Sequence, residues 1–149
     1  MNHDPARLFP DLQDWDDGRG ISGETWVELY GSLHDAVLYS SILWPAFVEH
    51  RGCLLWEAHH DNFDDWFTSL GGDQTAVEKV MNHHHLTDFF LYSHEELTEE
   101  RLDCFGALLR DMWLTKLRRD FPHLPVRVEL LWQDRESFLD AQIVVYVER

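Results

Sequence analysis

Cysteine is nearly missing from this 149-residue sequence: Cys53 and Cys104 stand alone, and neither belongs to a CxxC pair. A chain of this length buries enough apolar surface to fold without a disulfide, so both are expected to be reduced, buried small hydrophobes. A catalytic thiol is disfavoured, because it needs electropositive surroundings that an acidic chain hardly offers. Long apolar runs are missing as well. The longest stretch without a charged residue, Ala36 to Val48, has 13 residues, whereas a membrane-spanning helix needs roughly 20. The opening MNHDPARLFPDLQDWDD has no basic start followed by an apolar segment, so no secretory signal is read and the cytoplasm is the expected compartment. There is no internal repeat and no low-complexity tract.

Basic residues are scarce, and unevenly so. The chain has 28 acids against 12 bases, a formal net charge of −16 with neutral histidine. Residues 1–51 carry nine acids and three bases (−6), residues 52–100 eleven acids and only Lys79 (−10), and residues 101–149 eight of each (0). Binding to nucleic acid depends on Lys and Arg neutralising phosphates, so a direct nucleic-acid role is disfavoured. A negative field of this kind attracts basic surfaces, at rates that fall with salt. Its simplest consequence is solubility.

What is present is a foldable core. Hydrophobic residues make up 44% and aromatic residues 13%, including seven tryptophans, far from the composition of a disordered chain. Residues 1–20, broken by Pro5, Pro10, Gly18 and Gly20, read as an irregular ordered arm. The steps Trp26, Tyr30, Leu33, Val37 predict one helix from Glu24 to about Ser41, with Ser22 as N-cap, weakened at Gly31 and stopped before Pro45. Two apolar runs, Phe47–His50 and Cys53–Glu57, separated by Arg51 and Gly52, predict a hairpin. Asp61 is a candidate cap for "NFDDWFTSL", Gly71 and Gly72 end that helix, and Asp73 caps "QTAVEKVMNHHH".

The longest helix is predicted over Glu99–Asp120. Thr98 caps it, Leu102, Phe105, Leu109, Met112 and Trp113 make its stripe, widened by Leu108 and Leu117, and acids lead while Arg118 and Arg119 trail. "VRVELLWQ" and "DAQIVVYVER" then alternate as strands, with Val126, Val128, Leu130 and Trp132 on one face of the first and Ile143, Val145 and Val147 on one face of the second. These elements describe a single acidic α+β domain over 1–149. Its long C-terminal-half helix and several shorter ones pack on one small, mainly antiparallel sheet that includes the hairpin.

Two literal motifs fail on context. Gly18, Gly20 and Gly23 match GxGxxG, but the preceding residues are acidic rather than an apolar strand, and would repel a pyrophosphate. Gly20, Ser22 and Gly23 fall short of GxSxG and lack its strand.

Histidine is the stronger candidate, with seven of ten lying between His50 and His94. Neighbouring histidines on a helix diverge by about 100°, so His83, His84 and His85 cannot all face one site there. No HExxH is present, since His94 is followed by Glu95, Glu96, Leu97 and Thr98. The best helical pairs are His84 with Asp88 and His60 with Asp64, each at i,i+4. His60, His84 and Asp88 would then be ligands of a divalent transition metal such as zinc in a small hydrolase-type enzyme, with a carboxylate as general base. Against this stands the ordinary role of histidine at a helix terminus, beside the last carbonyls.

The segment "WEAHHDNFDDWF", Trp56 to Phe67, interleaves aromatics with carboxylates. Phe63, Trp66, Phe67 and Leu70 are expected on one helix face, with Asp61, Asp64 and Asp65 around it. The ordinary reading is an amphipathic helix with solvated acids. The functional reading is an aromatic anchor ringed by carboxylates, which suits a basic protein surface.

In general character the chain resembles the small acidic immunity proteins and antitoxins that bacteria pair with basic toxins, a resemblance of type that shares no motif. It implies a non-enzymatic binding protein without a cofactor. Its role would be to neutralise or regulate a basic partner, such as a toxin or a nucleic-acid-processing enzyme. Asp61, Asp64, Asp65, Trp66 and Asp73 are the expected contacts, and Glu95 and Glu96 secondary ones. A subunit of a larger assembly is the further alternative, distinguished by an apolar, salt-insensitive interface.

Overall fold

The computed structural model describes residues 5–59, 61–93 and 96–149. It divides into two compact units, 1–42 and 43–149. The class is α+β: short and long helices with two small antiparallel sheets. No helix among the described residues is long and apolar enough to cross a membrane.

In the first unit the arm holds short turns, a 3-10 turn at Pro5–Leu8, α1 (Pro10–Gln13) and α2 (Trp15–Gly18), the last broken by non-helical backbone at Asp16 and Asp17, with φ of 52° and 56°. Two helices follow where one was expected, α3 (Gly23–Tyr30) and α4 (Leu33–Leu43). Ser22 caps α3 as predicted, accepting the Thr25 N–H at 3.1 Å. The break has a local cause. Gly31 adopts φ −63°, ψ 144°, where a Cβ would collide with the Val27 carbonyl oxygen, and Ser32 restarts the helix by accepting the Asp35 N–H at 3.2 Å. The phase of the apolar stripe is lost there, and Val27, Leu29, Leu33, Val37 and Leu38 are each more than half exposed.

The second unit starts with the hairpin β1 (Phe47–His50) and β2 (Cys53–Trp56), paired from Phe47 opposite Trp56 to His50 opposite Cys53. Arg51 and Gly52 both have positive φ, 51° and 83°, the backbone of a two-residue turn whose twist matches the strands. Next come α5 (Phe63–Ser69) and α6 (Gln74–Met81). Between them Gly71 and Gly72 take φ 63° and 79°, and Asp73 caps α6 by accepting the Ala76 N–H at 3.0 Å. Asp61 does not cap α5; the N-cap position belongs to Asn62, with no side-chain bond.

Strand β3 is His83–His85, the run expected to end a helix. A 3-10 turn at Leu86–Phe90 leads to α7 (Glu99–Asp120), whose bounds and Thr98 cap, 3.3 Å from the Arg101 N–H, agree with the sequence expectation. Strands β4 (Val126–Leu131) and β5 (Gln142–Val147) complete a sheet of order β3-β5-β4. On α7 the residues Leu102, Leu109, Trp113 and Leu117 are buried while Leu108 stays half exposed, so the stripe is narrower than its sequence suggests. A Cβ at Gly106 would come within 2.9 Å of Leu86 and 3.0 Å of Leu130, so the missing side chain lets α7 approach closely.

The hairpin is a separate two-stranded sheet, and the expected single sheet does not form. The reason lies on α6. Glu78 and Asn82, one turn apart and fully buried, occupy the hydrogen-bonding positions that a strand would have filled between β2 and β5. Glu78 accepts the Leu54 N–H at 2.7 Å and the Val147 N–H at 2.8 Å. Asn82 accepts the Trp56 N–H at 2.9 Å and donates to the carbonyls of Leu54 at 2.7 Å and Val145 at 3.1 Å. Around this polar seam one core gathers Cys53, Leu55, Phe63, Val77 and Met81, with Phe67 and Leu70 against it.

Candidate functional site

The helix α5 and its flanks carry most of the predicted contact residues. Asp64 and Asp65 lie in its first turn, where carboxylates complement the N-terminal end of the helix dipole. Asp61, Asp64 and Asp65 are exposed. Asp64 is ion-paired with Arg51, whose guanidinium also lies over Phe67 and Phe63, 4.7 Å and 5.3 Å from the ring centroids. Among the described residues neither Asp61 nor Asp65 has a cationic partner.

The aromatic face divides. Phe63 is buried, Phe67 stacks on it at 5.3 Å and joins Leu70 against the core, and Trp66 remains 42% exposed. The expected four-residue face is therefore a three-residue core contact plus a surface indole. Asp73 lies beyond the end of α5, as the cap of α6. Glu96 is exposed, and its backbone carbonyl accepts from Arg101 Nη1 at 2.5 Å. Glu95 and His60 lie outside the described residues.

The histidine expectation changes in kind. Helix α6 ends at Met81, with Asn82 at φ −107°, ψ 19°, and the chain then extends. A strand alternates its side chains, so His84 faces the opposite way from His83 and His85. The His84 ring lies among Trp56 (4.2 Å between centroids), Phe89 (5.9 Å) and Trp113 (5.9 Å). Asp88 is exposed on the 3-10 turn. The i,i+4 helical geometry expected for His84 and Asp88 does not exist, because no helix spans them. Among the described residues no three His, Cys, Asp or Glu side chains converge as metal ligands would.

The Cys53 thiol is fully buried, its Sγ 3.9 Å from the Gln74 carbonyl. Burial first, then the negative charge of Glu78, pushes its pKa up to about 11. At pH 8 only about one thiol in a thousand is then ionised. Cys53 is expected to resist iodoacetamide at pH 8 in the native chain and to react once the chain is unfolded in urea, as peptide mass mapping would read. Native alkylation at the rate of a free thiol would contradict that burial.

Sequence reasoning missed Glu78, Asn82 and Arg149. Arg149 grips both oxygens of Glu78 at 2.9 Å and donates to the Gly52 carbonyl at 2.6 Å. The signal was the i,i+4 pair Glu78 and Asn82 set among Val77 and Met81 on the apolar side of α6.

The fold and its polar seam define a small α+β protein with an acidic, partly aromatic helix at its surface. No known protein family, curated protein or solved structure matches the chain.

Proposed function

We propose that this chain is a non-enzymatic binding protein that takes up a basic protein partner on the α5 face, and so neutralises or regulates it in the manner of an immunity protein or antitoxin. The observation that carries this reading is Trp66, 42% exposed, beside the exposed carboxylates of Asp61 and Asp65, which lack a described cation of their own. Aromatic side chains supply hot-spot energy, while uncompensated charge supplies steering and specificity. The net charge of −16 adds a long-range attraction for a basic surface. Arg51 makes Asp64 the weaker of the two helix carboxylates as a docking charge, because a partner cation would have to displace it.

The test is retention of proteins from the native host on the lightly tagged chain at low salt and at about 0.5 M salt, where screening shrinks to a few ångströms. A stoichiometric basic protein is expected at low salt and weakened at high salt. Reversing Asp64 and Asp65 to Lys should cut its association at low salt without altering the circular dichroism, and Asp65→Lys alone should account for most of the loss. Unchanged binding in the double variant would rule out this face.

A second reading, a subunit of a larger assembly, is supported by the apolar surface of α3 and α4, where Leu33 is 81% and Val37 61% exposed. The same experiment separates the two, because an apolar interface keeps its partner at 0.5 M salt.

A further inference from the structure

We propose that His83 and His85 form a two-point ligand for a divalent transition-metal ion on the edge strand β3. The two residues are separated by one position on an extended strand, so both side chains project from the same side of the sheet, with ring centroids 5.7 Å apart and planes at 80°. Among the described residues strand β3 pairs with β5 alone, at the edge of the order β3-β5-β4.

Each ring is oriented through its Nδ1. His83 Nδ1 lies 2.6 Å from the Val80 carbonyl oxygen, and His85 Nδ1 lies 2.5 Å from the Leu139 carbonyl oxygen. A carbonyl brings no proton to a hydrogen bond, so each Nδ1 must be the donor, and the neutral ring then presents the Nε2 lone pair. Metal-ligating histidines are oriented in this way, with one ring nitrogen donating to a carbonyl or carboxylate and the other on the metal. Carbonyls from two different elements hold the two rings, one at the end of α6 and one in the turn before β5, so the pair is set before any ion arrives.

Imidazole donors select the zinc, copper and nickel class over magnesium or calcium, which prefer oxygen ligands. Because no third described His, Cys, Asp or Glu converges with them, the remaining coordination positions belong to water or to a donor from a bound partner. The site is distinct from the His84 and Asp88 pairing. His84 turns to the other side of the strand, among Trp56, Phe89 and Trp113.

The test uses the untagged full chain, titrated calorimetrically with Zn²⁺ and with Ni²⁺. The variants are His83→Asn and His85→Asn, because the asparagine amide can still donate to the carbonyl while the Nε2 position is removed. His34→Asn, on an exposed histidine bonded to Asp35, is the control. The wild-type chain and the control should bind one more equivalent than either variant, or bind it roughly tenfold or more tightly, given that loss of even an outer-shell partner costs about 10–100-fold. Nitrogen-15 spectra of the metal-free chain should show both rings protonated at Nδ1. Absence of binding, equal stoichiometry and affinity in both variants, or protonation at Nε2 would overturn the proposal.

Discussion

Replacing Glu78 with Ala is expected to lower the melting temperature by on the order of 12–20 °C. The carboxylate is fully buried and does three things at once: it accepts the Leu54 N–H, accepts the Val147 N–H, and pairs through both oxygens with Arg149. Its hydrogen bonds hold the Arg149 guanidinium above its ordinary pKa. Removing the carboxylate leaves two buried backbone N–H groups without an acceptor, at about 1–3 kcal/mol each, and takes the ion-pair partner from the partly exposed Arg149, so a loss of about 3–5 kcal/mol is expected from a typical folding stability of about 5–15 kcal/mol. For a unit of roughly a hundred residues each kcal/mol is worth about 4 °C. Changing both Glu78 and Arg149 to Met separates the contributions. Buried ion pairs are often replaceable by apolar residues without loss, but here two backbone N–H groups would still lack an acceptor, so the double variant should remain destabilised. A double variant as stable as the wild type would show that the backbone bonds to Glu78 do not hold the two sheets together.

Asn82→Leu should be nearly as damaging although it changes little volume. The native amide accepts the Trp56 N–H and donates to the Leu54 and Val145 carbonyls, satisfying groups on both sheets from one side chain with no exposed surface. An unsatisfied buried group costs about 1–3 kcal/mol, and leucine would leave up to three of them, so a loss of about 3–5 kcal/mol is expected after partial relaxation. Hydrogen exchange gives the sharper reading. The Trp56 amide should be protected in the wild type and exchange through local opening in Asn82→Leu, while amides in the middle of α7 still exchange only by global unfolding. A Trp56 amide equally protected in both proteins would show that something other than Asn82 satisfies it.

Elements with a local cause could be read from sequence alone. Thr98, the leading acids and the trailing arginines define α7 within its own residues, and its bounds are those expected. The Arg51-Gly52 turn, the Ser22 and Asp73 caps and the Gly71-Gly72 stop also act within a few residues, and all are found. The misreadings were of two kinds. The α3–α4 break depends on one glycine conformation against one carbonyl, which apolar spacing does not register. The histidine run reads as a helix end because it follows a helical pattern directly, but its conformation is decided by pairing with β5, whose residues Gln142 to Val144 lie some sixty positions away.

The candidate site divides along the same line. Composition and spacing were enough to mark Asp61, Asp64, Asp65 and Trp66 as residues of one short helix and its flank. They could not show that Arg51, from the hairpin, neutralises Asp64, or that Trp66 stays at the surface while Phe63 and Phe67 go inward.

The sequence by itself determined the acidic charge and its concentration in the middle third, the α+β class, and the helices and turns whose caps and glycines act locally, because those follow from side-chain chemistry and short-range geometry. Only the tertiary structure decided that the strands form two sheets, that Glu78, Asn82 and Arg149 stand between them, and that His83 and His85 share a side. Each depends on backbone groups distant in sequence finding a partner, and a buried N–H or C=O takes whatever satisfies it, strand or side chain.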